Sequence, residues 1–233
     1  MKAIITGATK GIGRAIAETL AAEGYDIALC ARNTKELTTL QKDFKARHPS
    51  IQLITTAADV SKKKDILRFA DQIINQWGSV DVLINNAGVF LPGEVANEPE
   101  GTLERMIETN LYSAYHLTRA LLPAMIQKGS GHIFNMCSIA SIIAYPNGGS
   151  YTISKFALLG FSKVLREELK EKGIKVTAVL PGATWSNSWE GVNLPETRLM
   201  QANDIALAIL GATKMSPSAV VEEIIIRPQL GDL

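Results

Sequence analysis

The sequence predicts an α/β fold: a doubly wound, Rossmann-type, mostly parallel seven-stranded sheet with helices on both faces, in one domain over 1–233. Three observations predict it. Short β-rich apolar runs alternate with longer stretches of helical period almost to the end of the chain. The strands are nearly all-apolar rather than alternating, which suits a sheet covered on both faces by right-handed crossovers. A glycine-rich segment stands where the first strand turns into the first helix. No Pro- or Ser-rich linker, repeat or low-complexity tract divides the chain.

Taken in order, "KAIIT" (2–6) reads as the first strand, and Gly11–Gly24 as a helix whose Ile12, Ala15, Ile16, Thr19 and Leu20 keep a 3.6-residue period. "DIALCA" (26–31) is the second strand. Asn33 and Glu36 form a capping box for a helix running to about His48, just before Pro49. "IQLITTAAD" (51–59) is the third strand, and Ser61 caps a helix ending near Trp77. "VDVLINN" (80–86) is the fourth. A long helical stretch from about Glu100 to Gln127 leads to the fifth strand, "GHIFNMCS" (131–138). A helix from about Tyr151 to Lys172 precedes the sixth, "IKVTAVL" (174–180). The polar segment "PGATWSNSWEG" (181–191) then carries two of the three tryptophans, Trp185 and Trp189. A helix near Asp204–Ala212 and a last strand, "AVVEEIIIR" (219–227), complete the pattern.

Composition narrows the function classes. Hydrophobic residues make up 46% and charged residues 20% of the 233, as in ordinary globular domains. A formal net charge of +1 gives no bulk field that would favour nucleic acid or an anionic membrane. Cys30 and Cys137 each sit in an apolar run, the pattern of buried free thiols in a reducing compartment. No signal-peptide pattern opens the chain, and no apolar run approaches the roughly 20 residues that span a bilayer. A cytoplasmic location is expected.

The glycine turn "TGATKGIG" (6–13) lets the backbone approach a pyrophosphate at a helix N-terminus. Its spacing, Gly7, Gly11 and Gly13, differs from the common G-x-G-x-x-G. "NNAG" (85–88) follows the fourth strand, where its amides are expected to satisfy neighbouring backbone groups. "SYTISKFA" (150–157) opens a helical stretch and holds Tyr151 and Lys155, four apart and so on one face. A tyrosine with a pKa of about 10 needs help to act at neutral pH, and a fixed cation lowers that value. Ser138 ends the fifth strand, and in a parallel sheet the C-terminal strand ends and the loops after them converge on the ligand crevice.

Together these motifs resemble the short-chain dehydrogenase/reductase family over essentially the whole chain. The resemblance puts the family's tetrad on Asn110 ("ETNLYS"), Ser138, Tyr151 and Lys155, with none replaced. It implies hydride transfer from a nicotinamide cofactor to a carbonyl carbon. In that scheme Tyr151 donates the proton, Ser138 bonds the developing oxyanion, Lys155 holds the ribose, and Asn110 anchors a water leading to Lys155. The cofactor contacts fall on Gly7, Thr9, Lys10, Gly11, Ile12 and Gly13 in the turn. Asp59 and Val60 resemble the adenine contacts, and Asn86, Ala87 and Gly88 lie beside the cofactor with Tyr151 and Lys155. Pro181 and Gly182 match the turn beside the nicotinamide, with Thr184 or Ser186 on the carboxamide.

Cofactor choice is read from the end of the second strand. It carries Cys30, Ala31 and Arg32 with no acid to bond a ribose 2′-hydroxyl, while Asp26 lies at the wrong end. Arg32 and Lys10 offer donors to a 2′-phosphate, so NADPH (NADP+) is the expected cofactor, with no metal. The substrate loop spans about 183–203. "PGATWSNSW" and the tail "EEIIIRPQLGD" resemble bacterial sepiapterin-reductase-like members of the family. That implies a pterin substrate, with Trp189 stacking on a flat ring and Asp232 accepting from its N–H groups if the tail folds back. Two alternatives stay open: a 3-oxoacyl-thioester or general carbonyl reductase, and a catalytically silent NADPH sensor. An acyl-carrier-protein user would be expected to gather a basic patch, whereas Arg119, Lys128 and Arg198 are scattered. The family resemblance further implies a homodimer or homotetramer through the helices at about 100–127 and 151–172.

Overall fold

Five residues, Lys2–Thr6, form the interior strand β1, whose Ala3, Ile4 and Ile5 are fully buried on alternate faces. The computed structural model describes residues 1–185 and 194–232. On one side of β1 lie β2 (Asp26–Ala31) and then β3 (Leu53–Ala57). On the other come β4 (Val82–Asn85), β5 (Gly131–Met136), β6 (Ile174–Pro181) and β7 (Glu223–Ile226). Every neighbouring pair is parallel, so the sheet is wholly rather than mostly parallel.

The helices are α1 (Gly11–Ala22), α2 (Thr34–Arg47), α3 (Lys63–Trp77), the short α4 (Thr102–Ile107), α5 (Ser113–Lys128), α6 (Gly149–Leu169) and α7 (Ala202–Thr213). Their apolar faces sort onto the two sides of the sheet. Ile16 and Leu20 of α1, Leu40 and Phe44 of α2, and Ile205 and Ile209 of α7 join Ile5, Leu29 and Ile84 in one core. Phe69 and Ile73 of α3, Leu117 and Leu121 of α5 and Leu165 of α6 join Ile4, Ala28 and Leu83 in the other. This is the consequence of strands with two apolar faces: each face must be covered, and side chains one residue apart go to opposite covers. Because β1 lies between β2 and β4, the chain winds away from it in two directions. A crevice opens where they part, at the C-terminal ends of β1 and β4.

Several boundaries differ from the sequence reading. Lys62, not Ser61, stands at the α3 N-cap, without a side-chain bond. The Ser61 hydroxyl and N–H both donate to Asp59 Oδ1, at 2.8 and 3.1 Å, so a local turn has already claimed the cap. The long helix expected from 100 to 127 is broken by a π-helical turn at Glu108–Tyr112. The last strand shortens to four residues. Asn33 does cap α2, accepting from the Lys35 and Glu36 N–H groups at 3.0 and 3.3 Å, but Glu36 returns to the Asn33 side-chain amide at 3.0 Å.

Trp77, the tryptophan outside the polar loop, is a core residue whose indole N–H donates to Gln52 Oε1 at 2.8 Å. Tyr112, Ile153 and Phe156 stand exposed on the stretches for which the resemblance implies a subunit contact. Among the described residues no helix is long and apolar enough to cross a membrane.

Candidate active site

The crevice is assembled from the ends of β1 and β4. Thr6, buried at the end of β1, accepts through its hydroxyl from the Asn86 and Ala87 N–H groups at 3.0 and 2.9 Å. In return the Asn86 amide donates to the Thr6 and Gly7 carbonyls at 2.9 and 3.0 Å. The Gly7 N–H donates to Cys30 O at 3.1 Å, tying the turn to β2 as well. Gly13, in the first turn of α1, permits this closeness. A Cβ there would overlap Asn86 Nδ2 and stand 2.5 Å from Gly7 O, so nothing larger fits between helix and loop. Only Asn86 of the "NNAG" amides serves the backbone. Asn85 lies deeper and donates to Thr118 Oγ1 and Asn135 Oδ1 at 3.0 and 2.8 Å. Thr6 was missed as a site residue; the available signal was a hydroxyl closing an otherwise apolar strand.

The outer end of the crevice carries the charges. Arg32 follows β2 and Asp59 follows β3. Burial raises the Asp59 carboxyl, yet the Ser61 bonds and the Arg32 charge hold it below the usual range. Val60 is half-buried beside it, packed on the second core. Lys10 is not simply open to a ligand: its ammonium pairs with Glu36 at 3.0 Å. Bonds from Lys10, then Thr9, hold the Glu36 carboxyl below its ordinary value.

At the inner end, α6 and β5 bring three groups together. Ser138 stands close enough to the Tyr151 phenol to lower its pKa, and Phe90 packs edge-on to the Tyr151 ring at 4.9 Å between centroids. Ser138 also accepts from the Ala140 N–H at 3.1 Å, in a capping box with Ser141. Lys155 is 5% exposed; its ammonium donates to Met136 O at 2.7 Å and lies 5.7 Å from the Tyr151 ring centroid. Burial pushes Lys155 down to about 8. Burial also raises the Tyr151 phenol, against the lowering by Ser138. The direction is opposite to the lowering expected from a neighbouring cation, because among the protein's own groups desolvation outweighs every favourable contact. Asn110 sits in the π-helical turn, 1% exposed. Its Oδ1 accepts from the Val89 N–H at 2.8 Å, and its Nδ2 donates to Val89 O and Ser154 Oγ at 3.0 and 2.9 Å.

A family model described as short chain dehydrogenase matches residues 1–196. The chain belongs to the short-chain dehydrogenase/reductase family. It is therefore an oxidoreductase. Among its relatives is a protein named sepiapterin reductase from Chlorobaculum tepidum, 33% identical over 99% of this chain and 97% of that one. An alcohol dehydrogenase from Thermococcus sibiricus, solved with 5-hydroxy-NADP, superposes with a TM-score of 0.89 at 28% identity, covering 98% of this chain and 96% of that one. A 7α-hydroxysteroid dehydrogenase solved with NADH and 7-oxo glycochenodeoxycholic acid also gives 0.89, at 30% identity, covering 99% and 94%.

A cavity of about 590 Å³ occupies the inner part of the crevice. Ile12, Asn86 and Gly88 line it on the glycine-turn side, and Ser138, Tyr151 and Lys155 at the inner end. Pro181, Gly182 and Thr184 close it after β6, with Thr184 donating to Gly182 O at 3.0 Å. The remaining candidates, Gly7, Thr9, Lys10, Gly11, Gly13, Arg32, Asp59, Val60 and Ala87, lie around or beyond it at the ends of β1–β4. The glycine cradle and the cavity fit a dinucleotide: backbone approaches closely at the turn, and polar groups gather at the far end.

The tail does fold back. Asp232 lines the cavity, its Oδ1 accepting from the Ala183 N–H at 3.0 Å and its Oδ2 from Arg227 Nε at 2.7 Å. Arg198 holds the same turn by donating to the Gly231 and Asp232 carbonyls at 2.8 and 3.2 Å. Trp185 is half-buried, with its N–H donated to Met200 O at 2.9 Å. Ser186 and Trp189 lie outside the described residues.

Proposed function

We propose that the chain is an NADPH-dependent carbonyl reductase and alcohol dehydrogenase of the short-chain type, with Asn110, Ser138, Tyr151 and Lys155 as its catalytic set. The observation that carries this is the meeting of Ser138, Tyr151 and Lys155 in the same cavity wall as Ile12 of the glycine turn and Asn86 and Gly88 of the loop after β4. Bound there, a nicotinamide cofactor supplies a hydride to a carbonyl carbon. Tyr151 donates its phenolic proton to the carbonyl oxygen, and its raised pKa keeps that proton in place at neutral pH. Ser138 offers a hydrogen bond to the same oxygen as charge develops. Lys155, pushed down to about 8, is still largely cationic at neutral pH and would hold the cofactor's ribose. Asn110 bonds Val89 through both atoms of its amide and so holds the Gly88–Val89 backbone beside Lys155.

NADPH is proposed over NADH on Arg32 and the missing acid at the end of β2. The neighbours hold both kinds of cofactor, so the fold alone does not choose. Lys10, shared with Glu36, contributes less. Arg32→Asp is expected to cut the NADPH-over-NADH ratio of kcat/KM by about tenfold or more, the worth of a charge-assisted bond of ~1.5–3 kcal/mol. An unchanged ratio overturns the assignment.

A pterin is the proposed substrate. A relative over nearly the full length is named sepiapterin reductase, and Asp232 and Arg227 set an acceptor and a donor side by side on one cavity wall. The acyl-carrier-protein alternative is weakened, because each of its candidate cations is engaged elsewhere. Arg119 donates to Tyr115 Oη, Lys128 pairs with Asp81, and Arg198 holds the tail. NADPH oxidation followed with sepiapterin, a 3-oxoacyl thioester and a simple diketone is expected to be most efficient with sepiapterin. Faster turnover of the thioester supports the alternative, and NADPH binding with no turnover on any carbonyl supports a silent sensor.

A further inference from the structure

Glu98 belongs to none of the motifs above, yet it caps the helix that carries Tyr151 and Lys155. The first N–H groups of a helix lack internal partners, and Gly148, at the α6 N-cap, has no side chain to offer them. Glu98 supplies the acceptor from 52 residues away: its Oε2 takes the Ser150 N–H at 3.3 Å, and its Oε1 takes the Ser150 hydroxyl. A carboxylate at this end is also favoured by the helix dipole. The fit is close, since a Cβ on Gly149 would stand 2.5 Å from Gly93 O and 3.0 Å from Glu98 Oε2. Glu98 is fixed in turn, its N–H bonded to Glu94 O at 2.8 Å, while the Gly93 N–H donates to Asn147 O at 3.0 Å.

We propose that Glu98 is a positioning residue for Tyr151, setting where the first turn of α6 stands and hence where the phenol meets Ser138. This rests on the reading of Tyr151 as proton donor. Ser150 is 1% exposed and directly precedes Tyr151, so a shift at its N–H passes through a single residue to the phenol. Lys155 is anchored separately, on Met136 O. A misplacement of ~1 Å costs up to about 100-fold in rate, so losing the cap acts on turnover before it acts on cofactor binding.

The test compares Glu98→Ala and Glu98→Gln in the full chain, with kcat on a carbonyl that the wild type reduces, NADPH Kd, and amide exchange at Ser150–Thr152. Glu98→Ala is expected to lower kcat about tenfold or more, with Kd within about twofold and faster exchange in that turn. Glu98→Gln, whose amide oxygen still accepts from Ser150, recovers most of the rate. Overturning results are a Glu98→Ala kcat near wild type, a Kd that worsens in step with kcat, or a Gln variant no better than Ala. A wild type that reduces no carbonyl defeats the functional reading instead. Exchange then still decides the cap, and unchanged protection in Glu98→Ala overturns it.

Discussion

Replacing Tyr151 by Phe is expected to lower carbonyl turnover about 10²- to 10⁴-fold while NADPH binds as before. The substitution removes one oxygen and little else. The Phe ring keeps the edge-on contact with Phe90, and Ser138 keeps its bond from the Ala140 N–H, so neither the pocket wall nor the β5 end has reason to move. What is lost is the phenolic proton next to Ser138 in the cavity. The raised pKa of the phenol adds a pH signature. A group whose pKa is raised stays protonated through neutrality, so wild-type reduction holds steady there and falls only in alkali. Alcohol oxidation needs the phenolate and rises with pH over the same range. Steady-state rates in both directions, with a fluorescence titration of NADPH, check this. A variant keeping more than a tenth of wild-type kcat removes Tyr151 from the proposal.

Gly13→Ala is expected to weaken NADPH binding about tenfold or more and to lower Tm. The added methyl meets Asn86 Nδ2 and Gly7 O, and Ala8 Cα at 3.1 Å, and two of these three are backbone atoms that cannot swing away. Overpacking of this kind costs ~1–3 kcal/mol, here levied on the contact that holds the glycine turn to the "NNAG" loop. Relief requires α1 to retreat from β4, which opens the cradle meant for a pyrophosphate. Titration with NADPH and a thermal melt read the two effects separately. A Kd within about twofold of wild type means that the turn adjusts, and that the close approach at Gly13 is packing alone.

Much of the site was legible because its residues sit where strands end, and strand ends are easy to find in an apolar α/β sequence. Ser138, Asn86 and Pro181 each follow such a run, and Tyr151 and Lys155 share a helical spacing. Less legible were the features that depend on which partner reaches a group first. Ser61 reads as a helix cap until Asp59 is seen to hold its hydroxyl. Lys10 reads as a phosphate ligand until Glu36 is found 3.0 Å away. Asn110 falls within a helical pattern with no break, and only in the folded chain does it stand in a π-helical turn with its amide spent on Val89 and Ser154. The expected effect of Lys155 on Tyr151 came from sequence spacing, which records charge but not desolvation.

By itself the sequence determined the layer order and the ligand end of this protein. Strands with two apolar faces require helices on both sides, and a glycine turn after the first strand identifies where the chain winds apart. Both follow from local pattern, a matter of neighbours in the chain. Tertiary structure alone decided the contacts that join distant segments: Glu98 to Ser150 across 52 residues, Asp232 to Ala183 across 49, and Asn86 to Thr6 across 80. A carboxylate or amide has the same hydrogen-bonding capacity in any context, and only the folded chain determines which donor stands within hydrogen-bonding reach of it.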